Sequence, residues 1–213
     1  MPEADMTSDR PDRNLVVSPP PSISITEKHL EAVVAGLLGR RLAEVTYYPL
    51  AIGDDGQLTE KWDYGGWHEP TMGVELTLHS GHRYSAIWNN TFTEFGLKIF
   101  PKPMTDFLLV ADGGSTAVSV SDHPHWSRST GETIVAADVC WEHDPSGAIR
   151  PSALRLGFRE TTVWIAAGCS AYGESPTSFR LGTNDVMVVF TKEMSSQIGI
   201  PESRPRPSTA WPC

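Results

Sequence analysis

Residues 72–88 read MGVELTLHSGHRYSAIW. Met72, Val74, Leu76 and Leu78 alternate with Gly73, Glu75 and Thr77, the period of two that gives a strand one buried face. The turn has to keep that face continuous across the hairpin. A two-residue loop at Ser80-Gly81 would set Leu78 against Arg83 and Leu76 against Ser85, dividing the apolar residues between faces. A three-residue loop at His79-Ser80-Gly81, with Gly81 left-handed in a G1 bulge, pairs Leu76 with Tyr84, Val74 with Ala86 and Met72 with Trp88. The predicted hairpin takes this second register.

The flanking segments repeat the theme. Leu154, Leu156 and Phe158 precede a polar break at Arg159-Glu160-Thr161. The returning arm Val163-Trp164-Ile165-Ala166-Ala167 is apolar on both faces, as an interior strand requires. Both hairpins carry Leu-x-Leu before the turn and a Trp after it, a hint of one duplicated β unit. Further strands are predicted over 41–50, through 58–64, over 95–100, around Val118 and Val120, over 133–141 with Val135, Ala137, Val139 and Trp141 inward, and over 186–190. Loops are expected at Gly53-Asp54-Asp55-Gly56, Asn89–Phe92, Asp112-Gly113-Gly114-Ser115 and 172–182.

Leu30, Val33, Val34, Leu37 and Leu38 recur at helical spacing between Thr26, a residue suited to the N-cap, and Gly39, suited to the stop. A short helix is also possible over 105–110, and another from a Thr191 cap to Ile198, before Gly199. The expected class is therefore α+β, mainly antiparallel β-sheet built from meander hairpins, with one N-terminal helix over about 26–39 and a short C-terminal helix. Residues 1–21 and the Pro-rich 201–213 lack the apolar content to offset chain entropy and are expected to be disordered tails. They flank a single domain over 22–200.

A formal net charge of −9 over 213 residues argues against a nucleic-acid or anionic-membrane partner, since phosphates and acidic lipids repel such a field. A basic protein partner is easier to accommodate. Three cysteines, Cys140, Cys169 and Cys213, are too few for a disulfide framework and point to reduced thiols. The opening MPEADMTSDRPDR has neither a basic nor an apolar leader segment, and no apolar run approaches the ~20 residues of a membrane span. A cytoplasmic protein is expected.

No G-x-G-x-x-G, Walker, H-E-x-x-H or EF-hand pattern occurs, so no cofactor and no catalytic residue is predicted. His123-x-His125 with Cys140-x-x-His143 offers four nitrogen and sulfur donors of the kind zinc takes. On a strand, however, Cys140 and His143 point apart, and the reading preferred here is a core cysteine with loop histidines and no metal. Gly168-Cys169-Ser170 follows an apolar strand but is not a Gly-x-Ser-x-Gly elbow. The loop Tyr64-Gly65-Gly66-Trp67-His68-Glu69 joins glycines to aromatics, an imidazole and a carboxylate, groups that serve binding when a rigid sheet presents them. There Trp67 is expected to plug the sheet edge, with His68 exposed beside it. The candidate binding residues are Tyr64, Trp67, His68, Glu69, His123, His125 and Trp126.

A small acidic chain with aromatic-rich strands and ragged tails is similar in style to immunity-type bacterial proteins, which neutralise a toxin by surface binding. The missing catalytic signatures, the acidic balance and the aromatic loop at 62–69 point to a non-catalytic interaction module. The alternative is a small-molecule-binding protein or enzyme whose pocket lies near the 62–69 and 122–126 loops.

Overall fold

A computed structural model describes residues 27–52, 58–89, 95–108, 115–143, 149–170 and 178–203. The Thr26 cap, the turn at 53–56, the 112–114 loop, most of the 172–182 loop and both tails as far as 26 and from 204 lie outside the described residues. In chain order the elements are α1 (Glu27–Ala35), β1 (Leu42–Tyr47), β2 (Ala51–Ile52), β3 (Leu58–Thr59), β4 (Trp67–His68), β5 (Val74–Leu78), β6 (Arg83–Asn89) and β7 (Gly96–Phe100). A 3-10 turn (Met104–Asp106) follows, then β8 (Val118–Ser119), β9 (Ala136–His143), β10 (Ile149–Gly157), β11 (Thr162–Ser170), β12 (Phe179–Val189) and α2 (Lys192–Ile198).

The strands form two five-stranded sheets, ordered β7-β6-β5-β1-β8 and β4-β12-β11-β10-β9, with β2 and β3 as a separate ribbon. Every named pairing is antiparallel. The protein is α+β and mainly antiparallel, and two meanders, β5 to β7 and β9 to β12, account for most of it. The central hairpin takes the predicted register, with Val74 opposite Ala86 and Leu76 opposite Tyr84. Gly81 is left-handed at φ 82°, and the Leu78 N–H bonds the His82 carbonyl at 2.8 Å. The expected Met72–Trp88 pair does not form. At Gly73 the chain leaves the ladder, the Met72 N–H turns to the Tyr48 carbonyl, and Trp88 pairs with Leu97 instead.

One apolar cluster joins the inner faces of both sheets, with Val45, Leu76 and Ile99 from the first meeting Leu156, Ile165 and Val188 from the second. α1 adds Leu30 and Val34 to it. The expected duplication therefore places its two hairpins in different sheets. The outer face of the second sheet carries Trp164, Ala166, Met187 and Val189, covered by Ile198 and Ile200. This is why β11 is apolar on both sides. α2 starts as predicted, with the Thr191 side chain accepting the Met194 N–H at 3.1 Å, and ends at left-handed Gly199.

Other boundaries shift where a neighbour takes over the backbone hydrogen bonds. α1 ends at Ala35 because residues 36–38 tighten into i→i−3 bonds and the Gly39 N–H bonds the Ile134 carbonyl. β12 begins at Phe179, inside the expected loop, by pairing with Ser170. The helix expected at 105–110 is the 3-10 turn at 104–106. Val135 is 58% exposed, because β9 begins only at Ala136.

Two charged residues on faces that the sequence pattern assigns to solvent are buried. Glu75 accepts the Met104 N–H at 2.7 Å and lies 3.3 Å from Arg83 Nη1. Lys98, only 1% exposed, lies with its ammonium 6.0 Å from the Phe100 ring centroid, and burial lowers its pKa to about 8 from 10.5. Between those two values the unfolded chain holds a proton that the folded chain lacks. Stability should therefore rise with pH across that window, by at most about 1.4 kcal/mol per unit. Urea melts of the wild type and Lys98→Met at pH 7.5–10 should show this rise in the first and not in the second.

Candidate functional site

β4 pairs with β12, placing His68 opposite Val188 and Trp67 opposite Val189. Adjacent strand residues face opposite sides, so one of the two must turn into the molecule. His68 does, and it is 0% exposed. Its ring lies 5.1 Å from that of Trp62, 4.6 Å from His123, 5.5 Å from His125 and 4.8 Å from Phe190. The expectation of an exposed His68 is thus overturned, whereas Trp67 packs against the sheet edge without being fully buried. Trp67 is half-buried on the other face, stacked on Tyr64 and edge-on to Phe179. Its indole donates to Glu69 Oε1 at 2.8 Å, and that same oxygen accepts the Ser170 N–H. The candidate residues accordingly fall into two groups: His68 with His123, His125 and Trp126, and Trp67 with Tyr64 and the buried Glu69.

The inner group is held by a chain of hydrogen bonds. Trp126 Nε1 donates to the Tyr47 hydroxyl at 2.6 Å, and that hydroxyl lies 2.8 Å from His68 Nδ1. Burial pushes the Tyr47 phenol up and, with the nearby His123, brings His68 down to about 3, so both are neutral near pH 7. With Nδ1 engaged by Tyr47, His68 Nε2 is buried and has no hydrogen-bond partner among the described residues. It faces Asp63, whose Oδ1 is 3.5 Å away, beyond ordinary hydrogen-bond length.

Asp63 turns its other oxygen to His123 Nε2 at 3.4 Å. Its carboxyl lies below the usual range, chiefly because Oδ1 accepts the Gly65 N–H at 2.8 Å. The side chains of Asp63 and His123 are 43% and 21% exposed, so the cluster opens to solvent at the carboxylate. The 122–126 loop is clamped across it. His125 Nε2 donates to the Gly65 carbonyl at 2.7 Å, its ring stacks on Phe190 at 4.5 Å, and its N–H points to His123 Nδ1 at 3.4 Å.

Asp63, Tyr47 and Phe190 complete the site and were not among the predicted residues. Only Asp63 had a usable signal, the Asp-x-Gly spacing of an Asx turn. Among the described residues, Asp63, His68 and His123 form the one group of three or more His, Cys, Asp or Glu whose ligand atoms all lie within 4.8 Å of one another. Cys140 and His143 do not join it. Cys140 packs in the outer cluster, and burial pushes its thiol up to about 12, far from a thiolate. Cys169 lies within β11 with its thiol also raised by burial, so it is not the residue of a strand-to-helix elbow.

Beside this cluster, the 122–128 loop walls a cavity of about 280 Å³ that includes His125. A larger cavity of about 570 Å³ shares Arg128, Thr161, Thr162 and Phe190 with it and adds Arg155 and Lys192. No helix among the described residues is long and apolar enough to cross a membrane. No family model, curated protein or solved structure matches the chain at a significant level.

Proposed function

We propose that the protein binds a small polar molecule in the cleft that runs from His125 along the 122–128 loop to α2. The observation that carries this reading is a pair of neighbouring cavities, of about 570 and 280 Å³, that share Arg128, Thr161, Thr162 and Phe190 in their walls. A cleft of this size falls in the range that encloses small ligands. Its lining mixes an aromatic face with hydroxyls and charges of both signs, Arg128 and Lys192 with Glu160 and Glu202. A ligand that combines an apolar part with charged or hydrogen-bonding groups suits such walls. Large exposed hydrophobics among the described residues are confined to Leu38, Leu50 and Val135, a poor start for an apolar protein interface.

A protein-binding module is the second reading, favoured by the net charge of −9, which suits a basic partner and repels nucleic acid. A thermal-shift screen of polar metabolites separates the two. The expected result is a saturable rise in melting temperature with at least one compound, equivalent to about 2.7 kcal/mol at a hundred times its Kd. That rise should be lost in Arg128→Ala, an exposed substitution that leaves stability within about 0.5 kcal/mol. No shift across the screen, together with co-purification of a basic protein, would transfer the function to the second reading.

A further inference from the structure

We infer that Asp63, His68 and His123 form a binding site for a divalent first-row transition metal of the zinc class. The inference goes beyond the cleft and does not depend on a ligand there. Two imidazole nitrogens and one carboxylate oxygen are the donor set that suits such ions, whereas calcium and magnesium take oxygen donors.

The spacing points the same way. Metal–ligand bonds of 2.0–2.1 Å in a tetrahedron put neighbouring donor atoms about 3.3 Å apart. His68 Nε2 is 3.5 Å from Asp63 Oδ1 and His123 Nε2 3.4 Å from Asp63 Oδ2, and one ligand atom from each of the three residues lies within 4.8 Å of the others. Ordinary hydrogen bonds close to about 2.7–3.2 Å. The three groups are thus gathered within reach of one ion without being drawn into close direct contacts. His68 Nε2 is the second, independent sign: a buried nitrogen without a partner, facing that centre from a fully enclosed ring. Unmade buried polar contacts are rare and call for an occupant.

The support behind His68 is also in place. Metal-bound histidines donate their second ring N–H to a fixed acceptor. Tyr47 Oη, 2.8 Å from His68 Nδ1 and itself held by Trp126, can be that acceptor. For His123 the ring proton moves from Nε2 to Nδ1, and the long 3.4 Å contact from the His125 N–H is given up. The exposed side of Asp63 leaves room for water to complete the coordination.

The test uses the full chain, freed of metal by chelator, with zinc alone and cobalt alone as probes. Titration calorimetry should give one zinc per chain, and cobalt should add the visible absorption of a low-symmetry nitrogen and oxygen site. Asp63→Asn and His123→Ala, both at partly exposed positions, should keep their fold by circular dichroism and lose at least ~10-fold in zinc affinity. Calcium should produce no heat. Zinc binding unchanged in both variants would assign the ion to surface histidines such as His79 and His82 and overturn the proposal. So would the absence of saturable binding at about 100 µM zinc. Either failure leaves the cleft untouched, since its own screen uses polar metabolites and is read at Arg128, which is not one of the three donors.

Discussion

Trp126→Ala is expected to destabilise the protein by about 3–5 kcal/mol, the range for emptying a large buried aromatic site. Trp126 heads the fully buried side chains by volume and is 0% exposed. Its ring meets Phe190 edge-on at 5.7 Å, and its indole N–H is the donor that holds the Tyr47 hydroxyl. Truncation therefore removes apolar contact and breaks the hydrogen-bond chain that reaches His68. Tyr47→Phe isolates the second effect. It keeps the ring but strands the Trp126 indole and His68 Nδ1, for a loss of about 2–6 kcal/mol, at about 1–3 kcal/mol for each buried group. Guanidinium melts with unchanged m-values would measure both. A loss under about 1 kcal/mol for Trp126→Ala would show that the Trp126 side chain is not seated in the core.

Gly73→Ala should cost about 3 kcal/mol or more, from two effects of roughly 1–3 kcal/mol each. The first is conformational: Gly73 has φ 153°, which L-residues rarely adopt. The second is steric. A Cβ there would lie 2.7 Å from the Ala86 carbonyl oxygen and 2.8 Å from Met104 Cε. The methionine end can swing away, but the carbonyl belongs to the β5–β6 ladder and cannot. Gly81→Ala is the matching control, because it too has positive φ, yet nothing lies within 4 Å of its added Cβ. It should cost only about 1–2 kcal/mol. Equal losses at the two glycines would remove the steric argument.

Both predictions concern places where the sequence pattern stopped short. Alternation in 72–88 and the glycine at 81 suffice for the central register, because a slip by one residue would move every apolar side chain to the wrong face. Thr191 and Gly199 likewise mark the ends of α2 by local chemistry alone, through a side-chain cap and a left-handed residue. The double-sided apolar run at 163–167 identifies an interior strand for a similar reason, and β11 is one. In each case the deciding interaction lies within a few residues of the signal.

The candidate site was legible in part, since the two loops that attracted attention, 62–69 and 122–126, are the two that meet. Which of their residues face each other was not. The Trp67-His68 pair has one inward residue, and hydrophobicity favoured the tryptophan. The histidine takes that place because Tyr47, 21 residues away, offers its ring a hydrogen bond inside the sandwich. Asp63 gains its role from the buried His68 and from His123, 60 residues away. Glu75 and Lys98 read as solvent-facing on their strands and are buried by what other segments lay over them. Strand period and turn chemistry are properties of neighbours along the chain, and the sequence carries them directly. Burial of a polar group depends on which distant partners arrive to satisfy it, and only the packing of the two sheets decided that.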